Sequence, residues 1–212
     1  MKTDGIILDI DGTIWDSTEI VAGAWNRAMR EFGLPEIVTA EKLKGLFGKP
    51  MNIIAQILLP DLEEETRDEL MRKCCVYEHE ALMADPCRIA FPGVVESIRL
   101  LSEKIPVYIV SNCQKGYIEL VMEKTGITDC ITDHECYGET LKGKAENIRL
   151  LSERNNIEYP VYVGDTDGDR EACEEAGVRF IHAAYGFGRA ERADARISSF
   201  CELVPLTLEG EV

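Results

Sequence analysis

The chain has 212 residues, 45% of them hydrophobic, enough to bury a substantial core as one domain with an insertion or as two small domains. Thirty-nine acidic against 23 basic residues leave a formal charge of −16, which disfavours nucleic acid or an anionic membrane surface as a partner and obliges any anionic substrate to meet local cations or a metal. Eight cysteines without Cys-x-x-Cys spacing or a secretory leader, with three scattered histidines, point to reduced thiols in a cytoplasm rather than disulfides or zinc, and no apolar run is long enough to span a membrane.

In chain order, Gly5-Ile6-Ile7-Leu8 reads as a buried strand that runs straight into Asp9-Ile10-Asp11-Gly12-Thr13. Asp9 and Asp11 are two apart, so an extended backbone aims both carboxylates to one side, while Gly12 permits a sharp turn with exposed amides. That suits an anion and a metal, although Asp-Gly is also common turn punctuation and the nonapeptide alone leaves both open.

Asp16, Ser17 and Thr18 then offer N-caps for a helix bearing Val21, Ala24, Trp25, Ala28 and Phe32, stopped by Gly33-Leu34-Pro35. A second start at Thr39, a loop at Leu46-Phe47-Gly48-Lys49-Pro50, a stripe of Ile53, Ile54, Ile57 and Leu58, and one long helix from Leu62 to about Asp85 follow. Residues 17–87 therefore read as an all-helical block.

Beyond it, strands and helices alternate. Phe91-Pro92-Gly93 opens a short helix; the strand Pro106 to Val110 ends in Ser111 and Asn112; a helix ending at Gly126 leads to a strand candidate at 127–132. The loop around Lys142 and Lys144 precedes a helix with Ala145, Ile148 and Leu151, and the strand at 159–164 ends in Asp165-Thr166-Asp167-Gly168-Asp169. A helix ending at Gly177, a strand at 178–181, the loop Tyr185-Gly186-Phe187-Gly188, a short charged helix and a small strand near Ile197 complete the series. The pattern predicts an α/β fold with a doubly wound parallel sheet, whose ligands sit outside the carboxyl ends of the strands.

Those strand ends collect carboxylates at 9, 11, 165 and 169, hydroxyls at 13 and 111, and the ammonium of Lys144. Hard oxygen ligands suit Mg²⁺ with a substrate phosphoryl group completing its shell. Amides near Gly12, the hydroxyls of Thr13 and Ser111, and Asn112 beside them form a candidate phosphate cradle.

The order Asp9-x-Asp11-Gly12-Thr13, Ser111-Asn112, Lys144, Gly164-Asp165-Thr166-x-x-Asp169 resembles the four motifs of the haloacid dehalogenase superfamily, in its phosphoglycolate-phosphatase-like and β-phosphoglucomutase-like branch. The resemblance spans nearly the whole chain. It implies a Rossmann-like catalytic core from residues 1–16 and 88–212, with residues 17–87 as a helical cap. One departure is that Ala145, not proline, follows Lys144, and Lys142 stands nearby as an alternative; Lys144 is preferred because it directly precedes the helix.

Carried over by residue, the resemblance implies that Asp9 attacks phosphorus, that Asp11 serves as acid and then base, and that Asp9, Asp165 and the Asp11 carbonyl ligate Mg²⁺. Asp169 would orient Lys144 or a metal-bound water, and Asp167 would cap the following helix. Substrate selection would fall to the cap, with Lys49 as candidate against a merely solvated lysine. Ser111 as a helix cap, Asp16 and Ser17 as caps, Cys113 as a buried thiol, and Trp15 and Trp25 as packing are the plain structural alternatives, with a place at the border of the site entrance also open to Trp15.

The expected activity is a Mg²⁺-dependent phosphatase acting on a small phosphorylated metabolite, phosphoglycolate-like or sugar-phosphate-like, as a monomer or homodimer. A phosphomutase shares the same core, and a non-catalytic module phosphorylated on aspartate is the alternative from another class. The long helical insertion and Asp11 argue against the latter.

Overall fold

A computed structural model describes residues 2–208. Strands β1 (Gly5–Leu8), β2 (Val107–Ser111), β3 (Ile131–Cys136), β4 (Pro160–Gly164), β5 (Arg179–Ala183) and β6 (Ala195–Ile197) form one six-stranded sheet in the order β3-β2-β1-β4-β5-β6, parallel throughout. Every residue of β1 is buried, which is why it carries no polar face. Ile6 and Leu8 join the apolar cluster on one side of the sheet and Ile7 the cluster on the other, as the two-residue period of a strand requires.

Register places the chemistry. Leu8 lies opposite Ile109 of β2 and Val163 of β4, so the residues just beyond β1 and β4 and at the tip of β2 come out at one level. Asp9, Asp165 and Ser111 occupy those positions.

Between β1 and β2 the chain forms α1 (Thr18–Glu31), α2 (Ala40–Lys44), α3 (Met51–Leu58), α4 (Glu64–Ala84) and α5 (Val94–Ser102). Helix α1 buries Val21, Ala24, Trp25 and Ala28 at the spacing expected of an amphipathic helix, and packs along α4. The buried face of α4 comprises Leu70, Met71, Cys74, Tyr77, Leu82 and, within this otherwise mostly apolar stripe, Glu78. Helices α6 (Tyr117–Thr125), α7 (Tyr137–Thr140), α8 (Lys144–Arg154), α9 (Asp167–Ala176) and α10 (Leu203–Leu208) complete the order. Helices α8 and α9 cover the Ile7 side through Ile148, Leu151, Ala172 and Cys173. No described helix is long and apolar enough to cross a membrane.

Four elements differ from the sequence expectation. Residues 128–130 form a 3-10 turn and the strand begins only at Ile131, running through Asp133, His134 and Glu135. This is an edge strand paired to β2 alone; Arg154 holds Asp133 at 2.8 Å and Glu135 at 3.0 Å, so pairing and ion pairs stand in for apolar alternation. The charged stretch at 189–194 is not helical, because Asp194 is tied to β5, its amide donating to the Phe180 carbonyl and its carboxylate accepting from the Phe180 amide. Helices α7 and α10 had no expected counterpart.

Candidate active site

The site begins where β1 stops. The Asp9 amide still donates to Val163 O at 2.9 Å, and the chain then turns so that the amides of Thr13 and Ile14 both donate to Ile10 O. Gly12 takes φ +82, and a Cβ there would lie 2.3 Å from Asp165 Oδ2. Both the left-handed backbone and the close approach demand glycine. The Gly12 amide donates to Trp15 O at 2.9 Å, so this glycine serves the turn itself, and its N–H is committed within the protein.

Asp9, Asp165, Asp169 and Lys144 are all buried. Lys144 opens α8, and its Nζ lies 3.1 Å from Asp9 Oδ2 and 2.5 Å from Asp169 Oδ1. Burial opposes the ammonium, but the charges of Asp169 and Asp9 outweigh it and hold its pKa above the ordinary lysine value. Burial raises the Asp9 carboxyl against the pull of Lys144, and burial with the charges of Asp169 and Asp9 raises Asp165 to about 8. A buried group of acids with one cation is short of positive charge.

The hydrogen-bond inventory says where that charge fits. Asp165 Oδ2 accepts from the amides of Phe187 and Gly188 at 2.7 and 3.2 Å, and Asp9 Oδ2 faces Lys144, yet Asp9 Oδ1 and Asp165 Oδ1 are buried without a partner. Asp169 spends one oxygen on Lys144 and the other on the amide and hydroxyl of Thr166. Oxygens of Asp9, Asp165 and Asp169 lie within 4.8 Å of one another. Two orphaned carboxylate oxygens suit a hard divalent cation such as Mg²⁺, whereas both oxygens of Asp169 are already taken up in orienting Lys144.

Asp11 is built differently. Its Oδ1 accepts from Ser17 Oγ at 2.8 Å, Tyr117 OH at 2.8 Å and Trp15 Nε1 at 3.2 Å, while Oδ2 accepts no hydrogen bond from any described residue. Burial raises its pKa to about 7, the three donors pulling the other way. One oxygen is fixed and the other is free to exchange a proton near neutrality.

The remaining sequence candidates fall as follows. Ser111 is buried at the β2 tip, and Thr13 Oγ1 is buried without a partner. Asn112 Nδ2 donates to Gly48 O at 2.8 Å across to the loop between α2 and α3, leaving its Oδ1 buried and unpartnered. Lys142 is exposed and makes no ion pair with Asp9 or Asp169, in contrast to Lys144. Lys49 is exposed at the rim of the cavity beside Asp11. Cys113 is buried, its thiol pushed well above the ordinary value by burial. Asp167 is not the cap of α9: Thr166 caps it in a reciprocal box with Asp169, and Asp167 pairs with Arg170.

Several residues take roles at the site that were not expected from sequence. Ser17, expected as a helix cap, makes no capping bond and turns its hydroxyl to Asp11 instead. Trp15, expected as packing or at the border of the site entrance, spends its N–H on Asp11 and Tyr117, and Tyr117 itself comes from the distant α6. The glycines around Phe187 were the one available signal for the amides that hold Asp165. A Cβ at Gly186 would meet Gly12 O at 2.3 Å and Asp165 Cβ at 2.4 Å.

Above Asp11, the insertion and the sheet tips form a partly open cavity of about 30 Å³, lined among others by Phe47, Lys49, Glu78, Asn112 and Gln114. That is space for roughly one water. Gln114 Nε2 donates to Glu78 Oε1 at 2.7 Å, and the rings of Phe47 and Phe187 lie 6.4 Å apart, further contacts between the insertion and the core loops.

Comparison with known proteins agrees with this geometry. Residues 6–183 match the model of the haloacid dehalogenase-like hydrolase family. A phosphoglycolate phosphatase of Aquifex aeolicus is 26% identical over 210 residues, covering 95% of each chain. Among solved structures, a haloacid dehalogenase-like family hydrolase from Streptococcus pneumoniae superposes with TM-score 0.81 at 19% identity, over 96% of this chain and 97% of that one. A CbbY variant from Rhodobacter sphaeroides in complex with xylulose-(1,5)-bisphosphate has TM-score 0.81 at 17% identity, covering 99% of both. At those identities the two structures speak for the fold.

Proposed function

The chain belongs to the haloacid dehalogenase-like hydrolase family and is a phosphatase, and on that premise we propose that it hydrolyses a small phosphorylated metabolite through an aspartyl-phosphate on Asp9. The observation that carries this reading is the division of labour between two acids two residues apart: Asp9 is held by Lys144 with one oxygen orphaned, while Asp11 is held through one oxygen by three donors.

Asp9 attacks phosphorus with one carboxylate oxygen, and the bond to the leaving oxygen breaks. Asp11 gives that oxygen its proton, so an alcohol departs. Asp11 then takes a proton from water, whose oxygen attacks phosphorus and frees Asp9 and inorganic phosphate. Lys144 offsets the negative charge between Asp9 and the incoming phosphoryl group, and Asp169 and Thr166 fix Lys144 in place. Thr13 and Ser111 supply hydroxyls, and Asn112 an amide group, toward the phosphoryl oxygens.

Asp9, Asp165 and the Asp11 carbonyl would hold Mg²⁺, which when bound supplies charge neutralisation to the phosphoryl oxygens. Helices α1 to α4, residues 17–87, act as a cap over a core of residues 1–16 and 88–212. Opening of the cap, which would part Asn112 from Gly48 and Gln114 from Glu78, would widen the narrow space beside Asp11 to admit a metabolite. Eight free thiols fit a reducing cytoplasm.

Phosphate release from a panel of phosphomonoesters with Mg²⁺, wild type beside Asp9→Asn, tests the reading. Release by the wild type and none by the variant is expected; equal release would remove Asp9 from the mechanism. Phosphoryl return to the product instead of to water would mark a mutase.

A further inference from the structure

The unassigned group at this site is Glu78. It sits on the buried face of α4 in a stripe otherwise mostly apolar, 4% exposed, and lines the cavity that also meets Asp11. Its Oε2 accepts from Trp25 Nε1 at 2.7 Å and its Oε1 from Gln114 Nε2 at 2.7 Å, so the carboxyl is pinned at the wall by one donor from the insertion and one from the core. Each oxygen keeps acceptor capacity beyond the bond it makes.

The charge around this space is lopsided. Two acids, Asp11 and Glu78, border it from opposite sides, the first from the sheet tip and the second from the cap. Burial, with the charge of Asp11 adding to it, raises Glu78 to about 7. Among the residues lining the cavity the cation is Lys49, and that side chain is exposed, so its charge stays largely hydrated. Once Glu78 is ionised, above about pH 7, a carboxylate brought in on a leaving group would meet that charge with no desolvated cation in the cavity lining to pair with.

We infer that Glu78 selects the leaving group, favouring a phosphomonoester whose alcohol portion carries hydrogen-bond donors, hydroxyl or ammonium, over one that carries a carboxylate. This rests on the phosphatase reading of the same site. A donor group satisfies the spare lone pairs of Glu78 when the cap closes over the substrate, whereas a carboxylate is met by like charge. The curated relatives that bear the name phosphoglycolate phosphatase, at 26% identity, share the family, and the inference separates this chain from them by leaving-group charge.

Three probes that differ only at one end make the test: 2-phosphoglycolate, 2-hydroxyethyl phosphate and O-phosphoethanolamine, each with Mg²⁺, on wild type, Glu78→Gln and Gln114→Glu. The wild type should show kcat/KM at least about tenfold higher for the two donor-bearing esters than for 2-phosphoglycolate. Glu78→Gln keeps the shape and loses the charge, and should bring the ratio to within about threefold of unity; Gln114→Glu adds a carboxylate to the same wall and should widen it. A purely structural Glu78 would lower turnover of all three probes together and leave the ratio where it was. An unchanged ratio in both variants, or a wild type that prefers 2-phosphoglycolate, overturns this inference and leaves the phosphatase intact. No phosphate release from any probe overturns both.

Discussion

Tyr117 and Asp11 stand 106 residues apart in the chain, yet the phenol hydroxyl donates to Asp11 Oδ1 at 2.8 Å in the buried space behind the site. Tyr117 also meets Ser17 Oγ at 3.1 Å and Trp15 Nε1 at 3.2 Å, so it anchors both the acid and the acid's two other donors. Removing it in Tyr117→Phe takes away one hydrogen bond to a charged group, worth about 1.5–3 kcal/mol. The expected result is a kcat lower by roughly ten- to hundredfold with KM little changed, read from steady-state kinetics on any accepted ester. A rise in KM alone would place Tyr117 in substrate binding instead.

Lys144 is the cation that keeps Asp9 and Asp169 buried together. Lys144→Met leaves both acids unpaired and should abolish turnover and destabilise the fold by about 3–5 kcal/mol in urea unfolding. Lys142→Met, at an exposed neighbour, should change stability by less than about 0.5 kcal/mol. Equal effects would mean that the ammonium acts from position 142.

Gly186 lies against the Gly12 backbone and the Asp165 side chain at once. A methyl group there would collide with Gly12 O and Asp165 Cβ, so Gly186→Ala should lose about 1–3 kcal/mol of stability and most of the activity, since the turn and the acid cannot both stay in place. Thermal unfolding and phosphate release check this; a variant of wild-type stability and rate would show that the close approach is dispensable.

Glu78 also makes stability depend on pH. Its folded pKa, about 7, exceeds the ordinary value of 4.5, so between those two values the folded chain binds more protons than the unfolded one. Its contribution is therefore most favourable below about pH 4.5, is lost as pH rises toward 7, and stays lost above it. Glu78→Gln removes that dependence: relative to wild type the variant should gain of order 3 kcal/mol between pH 4.5 and 7.5, measured as the difference between two urea-unfolding series. A difference that does not move with pH would show that Glu78 keeps the same pKa in the folded and unfolded chain.

Much of this site was legible because it lies at strand ends. Apolar runs that break abruptly into acids, as at Asp9 and Asp165, and the lysine opening α8, mark themselves in one dimension. The parallel, doubly wound sheet and the gathering of strand tips followed from the alternation of strands and helices, whereas the order of the strands came only from the structure. What was not legible is what arrives from elsewhere in space. Ser17 reads as a cap until a carboxylate two turns of chain away proves the better partner. Tyr117 and Glu78 sit at ordinary core positions of their helices, and only packing shows that their polar atoms meet Asp11 and Gln114. β3 hid for a related reason, since an edge strand held by Arg154 needs no apolar alternation.

Metal binding has its own signature. With Asp9 Oδ1 and Asp165 Oδ1 orphaned and buried, Mg²⁺ at a hundred times its Kd should stabilise the wild type by about 2.7 kcal/mol, a shift of several degrees in Tm. Asp165→Asn should lose most of that shift. An identical shift in wild type and variant would put the ion elsewhere.

The account turns on Asp9 carrying the phosphoryl group, and the most direct measurement is to find it there. Enzyme quenched during turnover and reduced with borohydride converts an aspartyl-phosphate to homoserine, which peptide mass spectrometry locates by residue. Homoserine at position 9, absent from unreacted enzyme and from Asp9→Asn, is the predicted result. Homoserine at another aspartate, or none while phosphate is being released, would contradict it.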